Sequence, residues 1–325
     1  MKPIRAAVIG TGAFGRNHVR VLRHMAGVEL VGICDANAER AAALAAEHHC
    51  AIFPSVEALS GNVDAAVVAT PTNTHFEIAR GLLEAGIDVL VEKPIAQSSA
   101  DGQALAELAA RAGRILQIGH LERFNPAVIA LELAATIPLF FEVHRLSVFT
   151  PRSLDIDVVL DLMIHDLDIV LALTKEEPDE IRAAGISVLS RRVDIANVRL
   201  AFPSGCIANL TASRVSTEKV RKLRLFQPGQ YISLDYERQD ALSFSVDGAG
   251  AGATGSMPQI GFKALAVERA EPLQRELESF IACVRDRSRP RVDAFQATNA
   301  LRVSEAILGK IRGHADLVAK TLQRT

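Results

Sequence analysis

At 325 residues the chain exceeds what one hydrophobic core usually organises, so its length implies two domains. A content of 49% hydrophobic and 23% charged residues excludes a disordered polypeptide, and a formal charge of -2 excludes the basic excess that a nucleic-acid or acidic-membrane partner demands. Cys34, Cys50, Cys206 and Cys283 stand too far apart for a zinc knuckle or a redox pair and read as buried thiols, so no metal is expected. From Met1 the chain passes through Lys2 and Arg5 into a strand-like run at 6–9 without a signal-peptide stretch. No apolar run reaches the ~18 residues of a membrane span, and the expectation is a soluble, cytoplasmic protein without membrane contact.

From residue 6 to about 118, the short runs AAVIG, ELVGIC, AAVVAT, DVLVE and ILQIG alternate with Ala-rich helical stretches such as 37–48 and 99–112. Such alternation specifies βαβ units and a parallel sheet covered on both faces. The first strand runs into Gly10, Gly12 and Gly15, with Ala13 and Phe14 between the last two, immediately before a helical pattern. In this GxGxxG arrangement the first glycine permits a tight turn, the second lets backbone approach a pyrophosphate, and the third lets helix and strand pack closely. Asp35 closes the second strand about 20 residues beyond, where a carboxylate can accept from the adenosine ribose hydroxyls and repel the extra phosphate of NADP. NAD is the expected cofactor of a Rossmann domain at 1–120. Arg40 reads either as a partner for a 2'-phosphate or as a helix-surface residue.

Thr70, Pro71, Asn73 and His75 follow the third strand at the carboxyl edge, where open α/β sheets bind ligands; His75 reads equally as a cofactor contact or as a cap of the next helix. Glu92, Lys93 and Pro94 end the fourth run at the same edge. A lysine there can hydrogen-bond a substrate hydroxyl and stabilise the alkoxide that develops during hydride loss.

Beyond Pro126 the pattern changes to a buried helix at 158–173, then β-like runs including VRLAF, IANLTA and LRLFQ. Their alternation predicts an α+β second domain at 121–325, built on a mostly antiparallel sheet with one open face suited to subunit pairing. A homodimer or homotetramer follows. Along 157–174 the helix is apolar nearly all round, yet at ~100° per residue Asp157, Asp161, His165 and Asp168 fall within an arc of about 80°. Carboxylates inside a core demand partners or water, so the stripe lines a polar cavity or forms a satisfied core network. In the first case Asp161 orients His165, and His165 removes a hydroxyl proton as general base. The Gly- and Ala-rich stretch 247–261 reads as a loop, either an exposed insertion or an active-site lid. Helices at 273–287 and 294–312 close the pattern.

GTGAFG, TPTNTH, EKP and DLMIHDLD together resemble the Gfo/Idh/MocA oxidoreductase family, and the resemblance spans most of the chain. It implies that Lys93, Asp161 and His165 face the substrate, that Lys93 or His165 is the base, and that the last helix, about 294–312, returns to the Rossmann domain. GHLERFNPA at 119–127, taken with the DLMIHDLDIVL helix, resembles the branch acting on the 3-hydroxyl of UDP-N-acetylglucosamine. That branch implies a nucleotide-sugar substrate and a 3-keto product for an aminotransferase, supplying diamino sugars for lipid A. Arg123 and Asn125 match its pattern as substrate contacts or as interdomain bonds. Alternative readings are an inositol, free-sugar or other polyol dehydrogenase and, in another class, a non-catalytic NAD-sensing module.

Overall fold

The computed structural model describes residues 2–150, 156–247 and 259–322. The chain divides into two units, Met1–Phe124 with Glu271–Arg302, and Asn125–Ala270 with Val303–Thr325. No helix of the described residues is long and apolar enough to cross a membrane.

The first unit runs β1 (Ile4–Ile9), α1 (Gly15–His24), β2 (Val28–Cys34), α2 (Ala38–His48), β3 (Ala51–Ile52), β4 (Ala65–Val68), α3 (His75–Glu84), β5 (Asp88–Glu92), α4 (Ser99–Ala112) and β6 (Leu116–Gly119). Its parallel strands lie in the order β3-β2-β1-β4-β5-β6. Short runs of Ala and Val suit this sheet because both faces are covered: β4 is buried at every residue. Local signals set the helix ends. The Asn37 side chain accepts from Arg40 N at the start of α2, Ser98 does the same for Asp101 N at α4, and α4 stops at Gly113 in the left-handed conformation.

The second unit opens with α5 (Pro126–Ala134) and β7 (Phe140–Val148), and a π-helical turn at Val159–Met163 leads into α6 (Ile164–Thr174). Then follow β8 (Glu180–Ile186), β9 (Ile195–Ala201), β10 (Ile207–Ser216), β11 (Val220–Gln227), β12 (Gln230–Asp235), β13 (Asp240–Asp247) and β14 (Gln259–Ala264). They form one sheet in the order β14-β13-β12-β11-β7-β10-β9-β8, antiparallel except for the β7–β10 pair. Period-two alternation turns Phe141, Val143 and Arg145 of β7 inward and leaves Phe140, Glu142 and His144 on the open face. The ends of the predicted loop at 247–261 are corrected: Asp247 pairs with Gln259, and Ser245 with Gly261, because strand pairing overrides the local Gly and Ala composition. The centre of that stretch, 248–258, lies outside the described residues.

Beside the second domain expected over 121–325, the contacts divide the later helices between the two units. α7 (Pro272–Asp286) belongs to the first unit, where its apolar stripe Leu277, Phe280 and Ile281 joins the core built by Val8, Val19, Leu22 and Ile33. An amphipathic helix goes where its stripe finds a core, whatever its place in the sequence. α8 (Ala294–Leu322) contributes to both units: Thr298 lies against Gly102 in the first, and Ile311 against Gly185 in the second. Cys34, Cys206 and Cys283 are buried, and burial pushes the Cys206 thiol up to about 11; Cys50, expected buried, is only half so.

Candidate functional site

The carboxyl edge of the first sheet is built from backbone geometry. Gly10 takes φ +85°, and a Cβ there would stand 2.7 Å from Ala69 O. A Cβ on Gly15 would stand 1.8 Å from Gly10 O, so helix and turn pack together only through glycine. A Cβ on Gly12 would meet nothing within 4 Å: this face of the turn is open. Behind it α1 begins at Phe14 without a side-chain cap and without an acidic residue in its first turn, while its last turn carries Arg23 and His24. Uncapped N–H groups at the positive end of a helix attract an anion, so the turn fits the pyrophosphate of a dinucleotide. Ala13 and Phe14 are exposed on the rim.

Asp35, one residue past β2, accepts from Thr11 N at 2.6 Å, Thr11 Oγ1 at 2.7 Å and Asn37 N at 2.8 Å. Arg40 adds Nε at 3.1 Å and Nη2 at 2.7 Å. Burial alone would push this carboxyl up, but the hydrogen bonds from Arg40, Thr11 and Asn37 outweigh it and hold Asp35 well below the usual carboxylate range. The acid is therefore ionised and oriented, and Arg40 faces it rather than lying idle on the helix surface.

Past β4, Thr70 and Pro71 lead into a tight turn at Thr72–Thr74, with Asn73 exposed and Thr74 Oγ1 2.8 Å from Thr70 Oγ1. His75 neither caps α3 nor faces outward. It is buried, its Nδ1 2.9 Å from Pro94 O and its Nε2 2.9 Å from Thr70 O, and so ties the turn after β4 to the turn after β5. Burial draws its pKa below the ordinary histidine value. Lys93 stands half-buried between Glu92 and Pro94, at a cis Lys93–Pro94 bond. Glu92, expected among the cofactor contacts, turns its carboxylate to the fully buried His18, whose Nε2 lies 2.7 Å from Glu92 Oε1. Glu276 of α7 lies in the same cluster. The sequence reading missed both partners, although His18 falls on the buried face of α1 with Gly15, Val19 and Leu22, and Glu276 on that of α7.

In the second unit the π-helical turn changes the predicted stripe. Ile164 N donates to Val159 O, so the turn holds one residue more than an α-turn and sets later residues back by roughly 100°. His165 then falls within about 20° of Asp157, with Asp161 between, whereas Asp168 moves out by about 80°. Burial agrees: Asp161 and His165 are half-buried and Asp168 is only 2% exposed. Asp157 anchors the segment, its Oδ1 accepting from Val193 N at 2.8 Å. Asp166, absent from the expected stripe, pairs with Arg145 through two bonds of 2.7 and 2.8 Å, and Arg145 also covers the ring of Tyr236 at 4.8 Å.

Asn125, expected as a substrate contact or an interdomain bond, holds the start of α5. Asn125 Oδ1 accepts from Ala127 N as the cap of α5, and its Nδ2 donates to Tyr236 O, so the amide braces the second unit. Arg123 is buried in the first unit, its carbonyl accepting from Arg291 Nε.

Residues 4–120 match the profile of an oxidoreductase family with an NAD-binding Rossmann fold, and residues 140–227 match that of the GFO/IDH/MocA C-terminal domain. The chain is 39% identical over 282 residues to the UDP-N-acetylglucosamine 3-dehydrogenase of Acidithiobacillus ferrooxidans, across 86% of this chain and 88% of that protein. A solved structure of the Acidithiobacillus ferrooxidans enzyme aligns with a TM-score of 0.89 at 35% identity, over 97% of this chain and 99% of that one. The inositol 2-dehydrogenase of Rhizobium meliloti is 26% identical across 86% of this chain and 88% of its own length. The chain thus belongs to the Gfo/Idh/MocA family of NAD-binding oxidoreductases.

Proposed function

We propose that this dehydrogenase oxidises the 3-hydroxyl of UDP-N-acetylglucosamine to a ketone. The observation that carries the reading is the likeness over 86% of the chain to an enzyme of that name, on a fold whose open glycine turn and ionised Asp35 suit NAD. Bound NAD supplies the hydride acceptor for the hydrogen on the carbinol carbon. We assign removal of the hydroxyl proton to His165, with Asp161 orienting the imidazole and stabilising its charged form. Lys93, at the carboxyl edge of the sheet, stabilises the negative charge that grows on the oxygen as hydride departs. Gly10, Gly12 and Gly15 seat the pyrophosphate and Asp35 the ribose; Thr70, Pro71 and Asn73 line the edge beside them.

The test is NADH formation across a panel of UDP-N-acetylglucosamine, free N-acetylglucosamine and inositol. Turnover confined to the nucleotide sugar supports the reading, since remote contacts to the nucleotide contribute to transition-state binding. Equal efficiency with the free sugar overturns it in favour of a polyol dehydrogenase. His165→Ala is expected to lower kcat by about 10²–10⁴-fold, and an undiminished rate would remove His165 as the base.

The 3-keto product is a substrate for an aminotransferase, which would place the reaction on a route to diamino sugars of the lipid A type. A homodimer or homotetramer through the open sheet face also belongs to this reading. It is supported by a row of rings across that face, Phe140, Phe226, Tyr231 and Phe244, with centroids 5.9, 5.3 and 4.4 Å apart.

A further inference from the structure

Behind the strand end that carries Lys93 lies a buried polar cluster with no part in hydride or proton transfer. His18 of α1 and Glu276 of α7 are fully buried, and Glu92 at the end of β5 is nearly so. One ligand-type atom from each lies within 4.8 Å of the other two. Glu92 passes over β6 at Gly119, where a Cβ would stand 3.0 Å from Glu92 Oε2, so the absent side chain is what leaves the carboxylate its path. Glu276 is held from below, its backbone carbonyl accepting from Gln117 Nε2 at 3.1 Å. Neither of its carboxyl oxygens meets a hydrogen-bond partner among the described residues.

Space-filling does not account for this arrangement, because apolar side chains of similar volume serve a core at least as well. A buried acid also forfeits hydration unless a polar neighbour answers it. Burial and the nearby Glu92 charge push the Glu276 carboxyl well above the usual range, which eases its approach to the Glu92 carboxylate. The hydrogen bond of His18 from α1 and the close approach of Glu276 from α7 thus converge on the carboxylate of the residue next to Lys93.

We propose that His18 and Glu276 are positioning residues for Lys93: from α1 and α7 they hold the Glu92 carboxylate over Gly119 and so fix the strand end from which the lysine projects. The inference rests on the reading of Lys93 as the group that stabilises the alkoxide. It predicts a loss confined to turnover, since the glycine turn and Asp35 lie on other strands.

Glu276→Met fills a similar volume and removes both oxygens. Its kcat is expected to fall about ten- to a hundredfold, the scale of a small displacement of a reacting group, while NAD Kd and substrate KM stay within about threefold. Glu276→Gln, similar in size and still polar, is expected to recover most of that loss, and Glu276→Asp, one methylene short, is not. Where Glu276→Met fails to accumulate, His18→Leu puts the same question from α1. An unchanged kcat in these variants beside an inactive Lys93→Met overturns the positioning role and leaves the lysine reading standing. A fully active Lys93→Met overturns both.

Discussion

Arg40→Ala is expected to tighten NAD, although it removes a cation from the cofactor cradle. Asp35 already accepts five hydrogen bonds, from Thr11 N, Thr11 Oγ1, Asn37 N and the Nε and Nη2 of Arg40. A carboxylate offers about four lone-pair sites. A ribose diol therefore gains Asp35 only where a donor withdraws. Thr11 is 1% exposed and its contacts are set by the glycine turn, and Asn37 donates from the backbone; the Arg40 side chain is 47% exposed and can return to water.

An exposed ion pair contributes about 0–1 kcal/mol, whereas a hydrogen bond to a charged acceptor contributes about 1.5–3 kcal/mol. Arg40 is thus the donor that yields, and its deletion removes up to about 1 kcal/mol of competition, a Kd for NAD lower by as much as about fivefold. Asp35→Ala loses the ribose bond itself and weakens NAD by roughly 10- to 150-fold. NADP moves the other way in Arg40→Ala, because the guanidinium that would meet a 2'-phosphate is gone. Fluorescence titration with NADH and NADPH measures all three. A tenfold weaker NADH affinity in Arg40→Ala would refute the competition, since it would make Arg40 a direct contact of the dinucleotide.

Two further expectations concern stability. Burial would raise the Asp194 carboxyl, but the Ser190 hydroxyl and the N–H groups of Ser190, Leu189 and Val188 outweigh it and hold it at about 2. Because that is below the unfolded value of about 3.9, its contribution of about 2.5 kcal/mol is present above that pH and lost as pH falls through about 2; the stabilities from urea unfolding at pH 6 and pH 2.5 should differ by about 1.8 kcal/mol less in Asp194→Asn. Arg145→Met leaves Asp166 charged and only 2% exposed, at a cost of about 3–5 kcal/mol, and adding Asp166→Leu should recover most of it; equal midpoints for the single and double variants would contradict this.

What the sequence made legible is what neighbours in the chain decide. The glycine turn could be read because Gly10 and Gly15 answer to sterics within one turn, and the helix at 99–112 because Ser98 and Gly113 cap it from either side. Where the outcome depends on distant partners, the reading failed. β14 exists because β13 offers it an edge, and α7 joins the first unit because its stripe fits that core. His18 with Glu92 and Arg145 with Asp166 are polar pairs whose members are far apart in the chain, and no local period announces them.

The π-helical turn is the instance that bears on the chemistry. In an unbroken α-helix, Asp157, Asp161, His165 and Asp168 would share one narrow arc. The additional residue in Val159–Met163 sets His165 and Asp168 back together, so the step between them is unchanged while both rotate against Asp157 and Asp161. Asp161 and His165 are half-buried, Asp168 is buried, and Asp166 is paired with Arg145. One carboxylate suffices to orient an imidazole, and the half-buried Asp161 and His165 suit the roles proposed for them in removing a proton from a sugar hydroxyl.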